Sequence, residues 1–137
     1  MKLPITICFF TSTKGHFGRK TDWRLTLNHW DKQIPLSYFN LVAHIKTSTG
    51  EEGLAEEMAK ELKDRGFHVL ITNGDWSRGS SHQSNYMSDV VKVSKDRQVY
   101  KRPYTLWLED DSLAITHECR LEDLLLRSCQ NLDTNHE

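Results

Sequence analysis

Glu109, Asp110 and Asp111 stand in a row directly behind the apolar run Tyr104-Thr105-Leu106-Trp107-Leu108. Three carboxylates at the end of a buried strand repel one another, and the apolar strand offers them no solvation. A divalent cation relieves that repulsion. Strand alternation sets Glu109 and Asp111 on one side with Asp110 between them. Two carboxylates then reach one hard ion such as Mg²⁺ or Mn²⁺, and the ion in turn holds a diphosphate. The competing reading is a solvated turn after an edge strand. With 19 acidic residues among 137, a run of three arises roughly 0.4 times by chance. Position behind the strand adds what composition does not.

A second group is Thr11-Ser12-Thr13, three hydroxyls beside backbone amides, followed by Lys14, His16, Arg19, Lys20 and Arg24. Hydroxyls suit a base or ribose, and the cations suit phosphate. The segment matches neither the G-x-x-x-x-G-K-[ST] nor the G-x-G-x-x-G pattern, which removes the ordinary P-loop and dinucleotide readings and leaves a solvated basic loop as the rival. Asp75, next to Gly74, is an acceptor for a base N–H or a ribose hydroxyl, or else a turn aspartate. His44 sits mid-strand and reads as a hydrogen-bonded core histidine rather than a ligand. His117-Glu118-Cys119 lacks a second pair of ligands, so it reads as a helix start rather than a zinc site. Trp23, Trp30, Trp76 and Trp107 read mostly as core, with stacking on a base or sugar as the alternative for Trp76, which sits in a loop.

These residues need elements to position them, and the alternation of apolar and polar stretches spells β-α-β-α-β-α-β. Ile5 to Phe10, Leu41 to Lys46, His68 to Asn73 and Tyr104 to Leu108 are the strands; the first is a nearly unbroken apolar run, as burial on both faces requires. Trp23, Leu27, Trp30 and Ile34 recur at helical spacing and stop near Pro35. The second helix carries Leu54, Met58 and Leu62 as its buried stripe, with Ala55 and Ala59 beside it. A capping box from Ser48 with Glu51, or Thr49 with Glu52, opens it, and Gly66-Phe67 closes it. Tyr86, Val90 and Val93 support a third helix. A last one is expected from Glu118 to about Gln130, with Leu121, Leu124 and Leu125 inward. Residues 1–130 are thus expected to be a single α/β domain and 131–137 a frayed tail.

Strands separated by helices imply right-handed crossovers and a three-layer sandwich around a mostly parallel, Rossmann-like sheet of at least four strands. In such sheets ligands sit outside the carboxyl ends of the strands, where strand order reverses. Those ends carry Thr11 to Gly18, Lys46 to Gly50, Asn73 to Ser81 and Glu109 to Ser112.

Composition narrows the classes further. Hydrophobic residues make up 37% of the chain, an adequate but thin core, and 18 basic against 19 acidic residues leave a net charge of -1. No global basic field gathers nucleic acid, and Lys95, Arg97, Lys101 and Arg102 read as a solvated connection rather than a groove. No apolar run reaches the ~20 residues of a membrane span, and the first ten residues lack the features of an export signal. A cytoplasmic location without membrane insertion is the expectation. Three cysteines, far apart and odd in number, read as reduced thiols rather than a disulfide framework.

The order of elements, the Phe9-Phe10-Thr11-Ser12-Thr13 strand end and the Glu109-Asp110-Asp111 run together resemble the nucleotide-sugar-binding half of GT-A fold glycosyltransferases. In that family a D-x-D motif ends the fourth strand. The resemblance spans about residues 4 to 112. It implies that Asp111 is the best ligand, and Glu109 or Asp110 the second, for Mn²⁺ or Mg²⁺ on the diphosphate of a nucleotide-diphosphate sugar. It further implies that Thr11, Ser12, Thr13 and Asp75 contact the nucleoside and that Lys14 and Arg78 approach the phosphates. Glu109 replaces the first aspartate of the motif, keeping the charge on an arm longer by one methylene. Members of the family continue well beyond this motif to build the acceptor site and catalytic base, whereas this chain ends at Glu137. No residue is assigned as the base, and a homo-oligomer or a partner chain is a further expectation. The expected activity is metal-dependent glycosyl transfer to an acceptor hydroxyl. The alternative is a non-catalytic nucleotide-binding or protein-interaction module on the same scaffold. A receiver-type domain fits less well, because its acidic pair follows strand one, where this chain has Thr11-Ser12-Thr13. A nuclease lacks the lysine close behind Asp111.

Overall fold

The strand β1 (Ile5–Ser12) is buried along all but its last residue, and its neighbours on both sides run parallel to it. It is part of a four-stranded sheet seen in a computed structural model that describes residues 2–13, 23–47, 49–73, 98–110 and 120–134. β2 (Asn40–Thr47), β3 (His68–Asn73) and β4 (Tyr104–Glu109) complete it in the order β3-β2-β1-β4, every pair parallel. The two inner strands read as continuous apolar runs because both of their faces are covered. β3 and β4, outermost among the described strands, are only partly buried.

Three α-helices accompany the described strands: α1 (Trp23–Gln33), α2 (Glu52–Asp64) and α3 (Leu121–Thr134). All three pack their apolar sides on one face of the sheet, against Ile5, Ile7, Phe9, Ala43, Ile45 and Leu108. The opposite face buries Cys8, Phe10 and Val42 beneath Tyr100. Covering both faces is what an α/β three-layer arrangement requires, and Val99 and Tyr100, shortly before β4, lie on this second face.

α1 buries Trp23, Thr26, Leu27 and Trp30 and stops before Pro35, whose missing N–H cannot continue the ladder. The Asp31 carboxylate accepts from the Leu36 N–H at 2.8 Å, tying the helix end to the 3₁₀ turn Leu36–Tyr38. α2 ends in a Schellman motif. Gly66 adopts φ +97°, its N–H donates to the Lys63 carbonyl at 3.0 Å, and the Phe67 N–H donates to the Leu62 carbonyl at 3.0 Å while its ring enters the core.

Several boundaries and faces differ from expectation. β1 extends to Ser12 and β2 to Thr47, because parallel pairing continues as far as Ser12 beside Lys46. The Thr49–Glu52 capping box does not form, and Ser48 of the alternative lies outside the described residues: Glu51 occupies the N-cap of α2 without a side-chain hydrogen bond, and Glu52 instead accepts from the Gly50 N–H. Leu54 is 44% exposed; the buried stripe of α2 is Ala55, Met58, Ala59 and Leu62, since small alanines let the helix approach the sheet closely. In α3, Leu121 and Cys129 are buried while Leu124 is 42% exposed. That helix begins at Leu121 and continues past Gln130 to Thr134, and the Tyr104 hydroxyl donates to Asp133 within this last turn. The helix expected around Tyr86, Val90 and Val93 lies outside the described residues.

A Cβ at Gly66 would meet only Leu41 Cδ1, at an ordinary 3.8 Å, so the left-handed backbone alone makes alanine unfavourable there. Gly66→Ala is expected to lower stability by about 1 kcal/mol, and Gly66→Asn by less. Urea denaturation checks this: the midpoint should fall at unchanged slope.

Candidate functional site at the carboxyl edge of the sheet

From β1 the chain proceeds outward through β2 to β3, then returns to the other side of β1 as β4. Strand order therefore reverses between β1 and β4, and the carboxyl ends of those two strands are the position at which doubly wound sheets bind their ligands. The residues at that point are Thr11, Ser12 and Thr13 on one side and Glu109 and Asp110 on the other. Pairing of Phe10 with Glu109 sets Thr11 level with Asp110.

The two ends are joined directly. The Thr11 hydroxyl donates to Asp110 Oδ2 at 3.1 Å, linking residues 99 positions apart in the chain. From α1, the Thr26 hydroxyl donates to the backbone carbonyl of Asp110. Thr11 and Thr26 are both 4% exposed, whereas Asp110 is half-buried and borders solvent. On the opposite flank the Thr13 N–H donates to the Lys46 carbonyl at 3.0 Å, closing the tip of β1 onto β2. Lys46 and Thr47 are buried there although both are polar.

Strand alternation divides these side chains between the two faces. Thr11 and Asp110 lie on the side of the helices. Ser12 and Glu109, both half-buried, lie on the side of Phe10 and Trp107. Of the residues singled out in the sequence, the structure brings together Thr11 and Asp110 by a hydrogen bond and places Ser12, Thr13 and Glu109 at the same edge. Lys14, Asp75, Arg78 and Asp111 lie outside the described residues, as do Trp76 and His117-Glu118-Cys119. Among the described residues no three His, Cys, Asp or Glu side chains gather closely enough to hold a metal ion.

Beneath Ser12 and Glu109 the second face is floored by a polar and aromatic cluster. Phe10 stacks between His44, at a centroid distance of 5.0 Å, and Trp107, at 4.4 Å. His44 Nε2 and the Tyr100 hydroxyl are 2.9 Å apart, and the same hydroxyl lies 3.1 Å from Cys8 Sγ. His44 is thus the hydrogen-bonded core histidine that its mid-strand position suggests. Burial pushes the Cys8 thiol up to about 12, with the Tyr100 hydrogen bond acting weakly the other way. The Tyr100 hydroxyl is raised above its ordinary range, first by burial and then by its bond to Cys8. Neither group ionises near neutral pH, so this cluster is a floor rather than a nucleophilic site.

Thr26 and Tyr100 were not legible as site residues. Thr26 carries a signal all the same: it is the one polar residue at a buried position among Trp23, Leu27 and Trp30 in the apolar stripe of α1. A hydroxyl at such a position needs an acceptor outside its own helix or one turn back within it. Tyr100 has no comparable mark, because its partners come from β1 and β2.

Compared with protein-family models, with curated proteins and with solved structures, the chain gives no match. Among the described residues no helix is long and apolar enough to cross a membrane.

The buried cluster makes stability pH-dependent in one direction. An unfolded Cys8 thiol ionises near its ordinary value of 9.0, while the folded one stays protonated to about 12, so the unfolded state releases its proton first. The contribution is complete below pH 9.0 and falls as pH rises toward 12. Chemical denaturation across that window should show stability declining, with a slope shallower by roughly 1 kcal/mol per pH unit in Cys8→Ala.

Proposed function

We propose that the crevice between β1 and β4 binds a nucleotide-diphosphate sugar through a divalent cation, Mn²⁺ or Mg²⁺, and that the domain serves transfer of the sugar to an acceptor hydroxyl. The observation that carries this reading is the hydrogen bond from Thr11 to Asp110 at the point where strand order reverses. It brings the acidic end of β4 to the hydroxyl-bearing tip of β1, the two groups that a metal-diphosphate and its nucleoside require.

The donor chemistry suits such an ion. Carboxylate and hydroxyl oxygens are hard ligands, and Mg²⁺ characteristically takes one or two protein carboxylates, keeping water and substrate phosphate in its other positions. Asp111 would hold it, with Asp110 or Glu109, which face opposite sides of the sheet, as the second carboxylate; a bound cation would supply charge stabilisation to the departing nucleoside diphosphate. Ser12 and Thr13 present hydroxyls and a backbone amide edge to the nucleoside, with Asp75 as a further acceptor and Lys14 and Arg78 toward the phosphates. In the transfer itself the acceptor hydroxyl oxygen bonds to the anomeric carbon and gives up its proton to solvent as the bond from that carbon to the phosphate oxygen breaks, and the nucleoside diphosphate leaves with that bond's electron pair.

Calorimetry with UDP, GDP and their sugars tests the reading. Binding should require Mn²⁺ or Mg²⁺ and weaken at least about tenfold in Asp110→Ala and in Asp111→Ala, since each removes a charged ligand. Nucleotide binding that is indifferent to the cation, or its absence altogether, would sink the proposal.

A further inference from the structure

Asp110 is held at two points that belong to different elements. Its carboxylate Oδ2 accepts from Thr11 of β1 at 3.1 Å, and its backbone carbonyl accepts from Thr26 of α1. Both threonines are almost fully buried, while Asp110 itself borders solvent. We infer that Thr11 and Thr26 are positioning residues, a two-point clamp that fixes the direction in which Asp110 presents its carboxylate to the crevice. The clamp deepens the proposed function and rests on its reading of Asp110 as a cation ligand.

Asp110 lies just beyond the last paired residue of β4, where the ladder no longer dictates its conformation. A residue at such a position otherwise samples several backbone and side-chain states. Anchoring the carbonyl from the helix side sets the peptide plane. Anchoring one carboxylate oxygen from β1 then sets the side-chain torsion. Two fixed points restrict the orientation more than either bond alone. The arrangement also explains why a threonine interrupts the apolar stripe of α1. Its hydroxyl reaches across to a strand end, and valine of the same shape would leave the Asp110 carbonyl without that donor.

The same geometry moves Thr11 away from the nucleoside-contact role that the family resemblance implies. Its hydroxyl proton is directed to Asp110, so Ser12 and Thr13 carry the nucleoside contacts at the tip of β1. Hydrogen-bonded partners that orient metal-binding carboxylates are typically worth 10–100-fold in metal affinity.

The test uses Thr11→Val and Thr26→Val, which keep shape and remove the hydroxyl, with Thr11→Ser and Thr26→Ser, which keep it. Carbon-13 NMR of the Asp110 carboxyl and carbonyl groups reads the clamp without any ligand. Thr11→Val should shift the Asp110 carboxyl resonance, because the carboxylate loses a donor, and Thr11→Ser should return it. Thr26→Val should shift the Asp110 carbonyl resonance upfield, with Thr26→Ser returning it. Unchanged carboxyl and carbonyl resonances in the valine variants would overturn the inference, as would serine variants that behave like valine. Mn²⁺ titration followed by paramagnetic relaxation is the second arm, and each valine variant should weaken the ion about tenfold. If the unmodified chain binds no Mn²⁺ while the NMR responses follow the pattern above, the cation reading fails and the clamp stands. Mn²⁺ affinity unchanged in both valine variants of a chain that does bind the ion overturns the positioning role.

Discussion

β1 is hydrogen-bonded on both sides by parallel strands, and parallel pairing forbids a tight turn between neighbours. Each connection must leave from the carboxyl end and return to the amino end, and the right-handedness of crossovers fixes the face it takes. With β2 and β3 on one side of β1 and β4 on the other, strand order reverses between β1 and β4. The carboxyl ends of those two strands are therefore the binding position that strand order singles out, whatever residues line it.

The residues that do line it are unusual for strand ends that border a core. Thr11, Thr47 and Lys46 are buried polar groups, and burial of this kind is tolerated only where hydrogen bonds replace water. Thr11 finds Asp110, and the backbone of Lys46 receives the Thr13 amide. The polar edge is in this way stitched across β2, β1, β4 and α1. Beneath it, the stacked rings of His44, Phe10 and Trp107 and the bridging Tyr100 hydroxyl give the edge a stiff base. Side chains of those shapes packed against one another leave little room for strand ends to shift.

Much of the scaffold is legible along the chain. The unbroken apolar runs of β1 and β2 mark strands covered on both faces, and the Gly66-Phe67 pair marks the end of α2 because only glycine enters the left-handed conformation of a Schellman stop without strain. Less legible are the faces of helices. Leu54 and Leu124 have the spacing of core residues and yet are exposed, because a leucine at the margin of an apolar stripe is buried only if a neighbouring element extends that far. Helix α3 likewise outlasts its apolar pattern, its last turn being engaged by Tyr104 of β4.

For the candidate site the division is sharper. Residue order alone determined that a hydroxyl-rich segment ends the first strand and an acidic one ends the fourth, because periodicity and composition are local properties. Only the tertiary structure decided that Thr11 and Asp110 meet, that Thr26 reaches the same residue from a helix, and that Tyr100 joins His44 to Cys8. Each of these contacts spans 56 or more positions, and nothing in the local pattern encodes which strand will lie beside which. That choice is made by the packing of helices on the sheet and by the hand of the crossovers, which act on the whole chain at once.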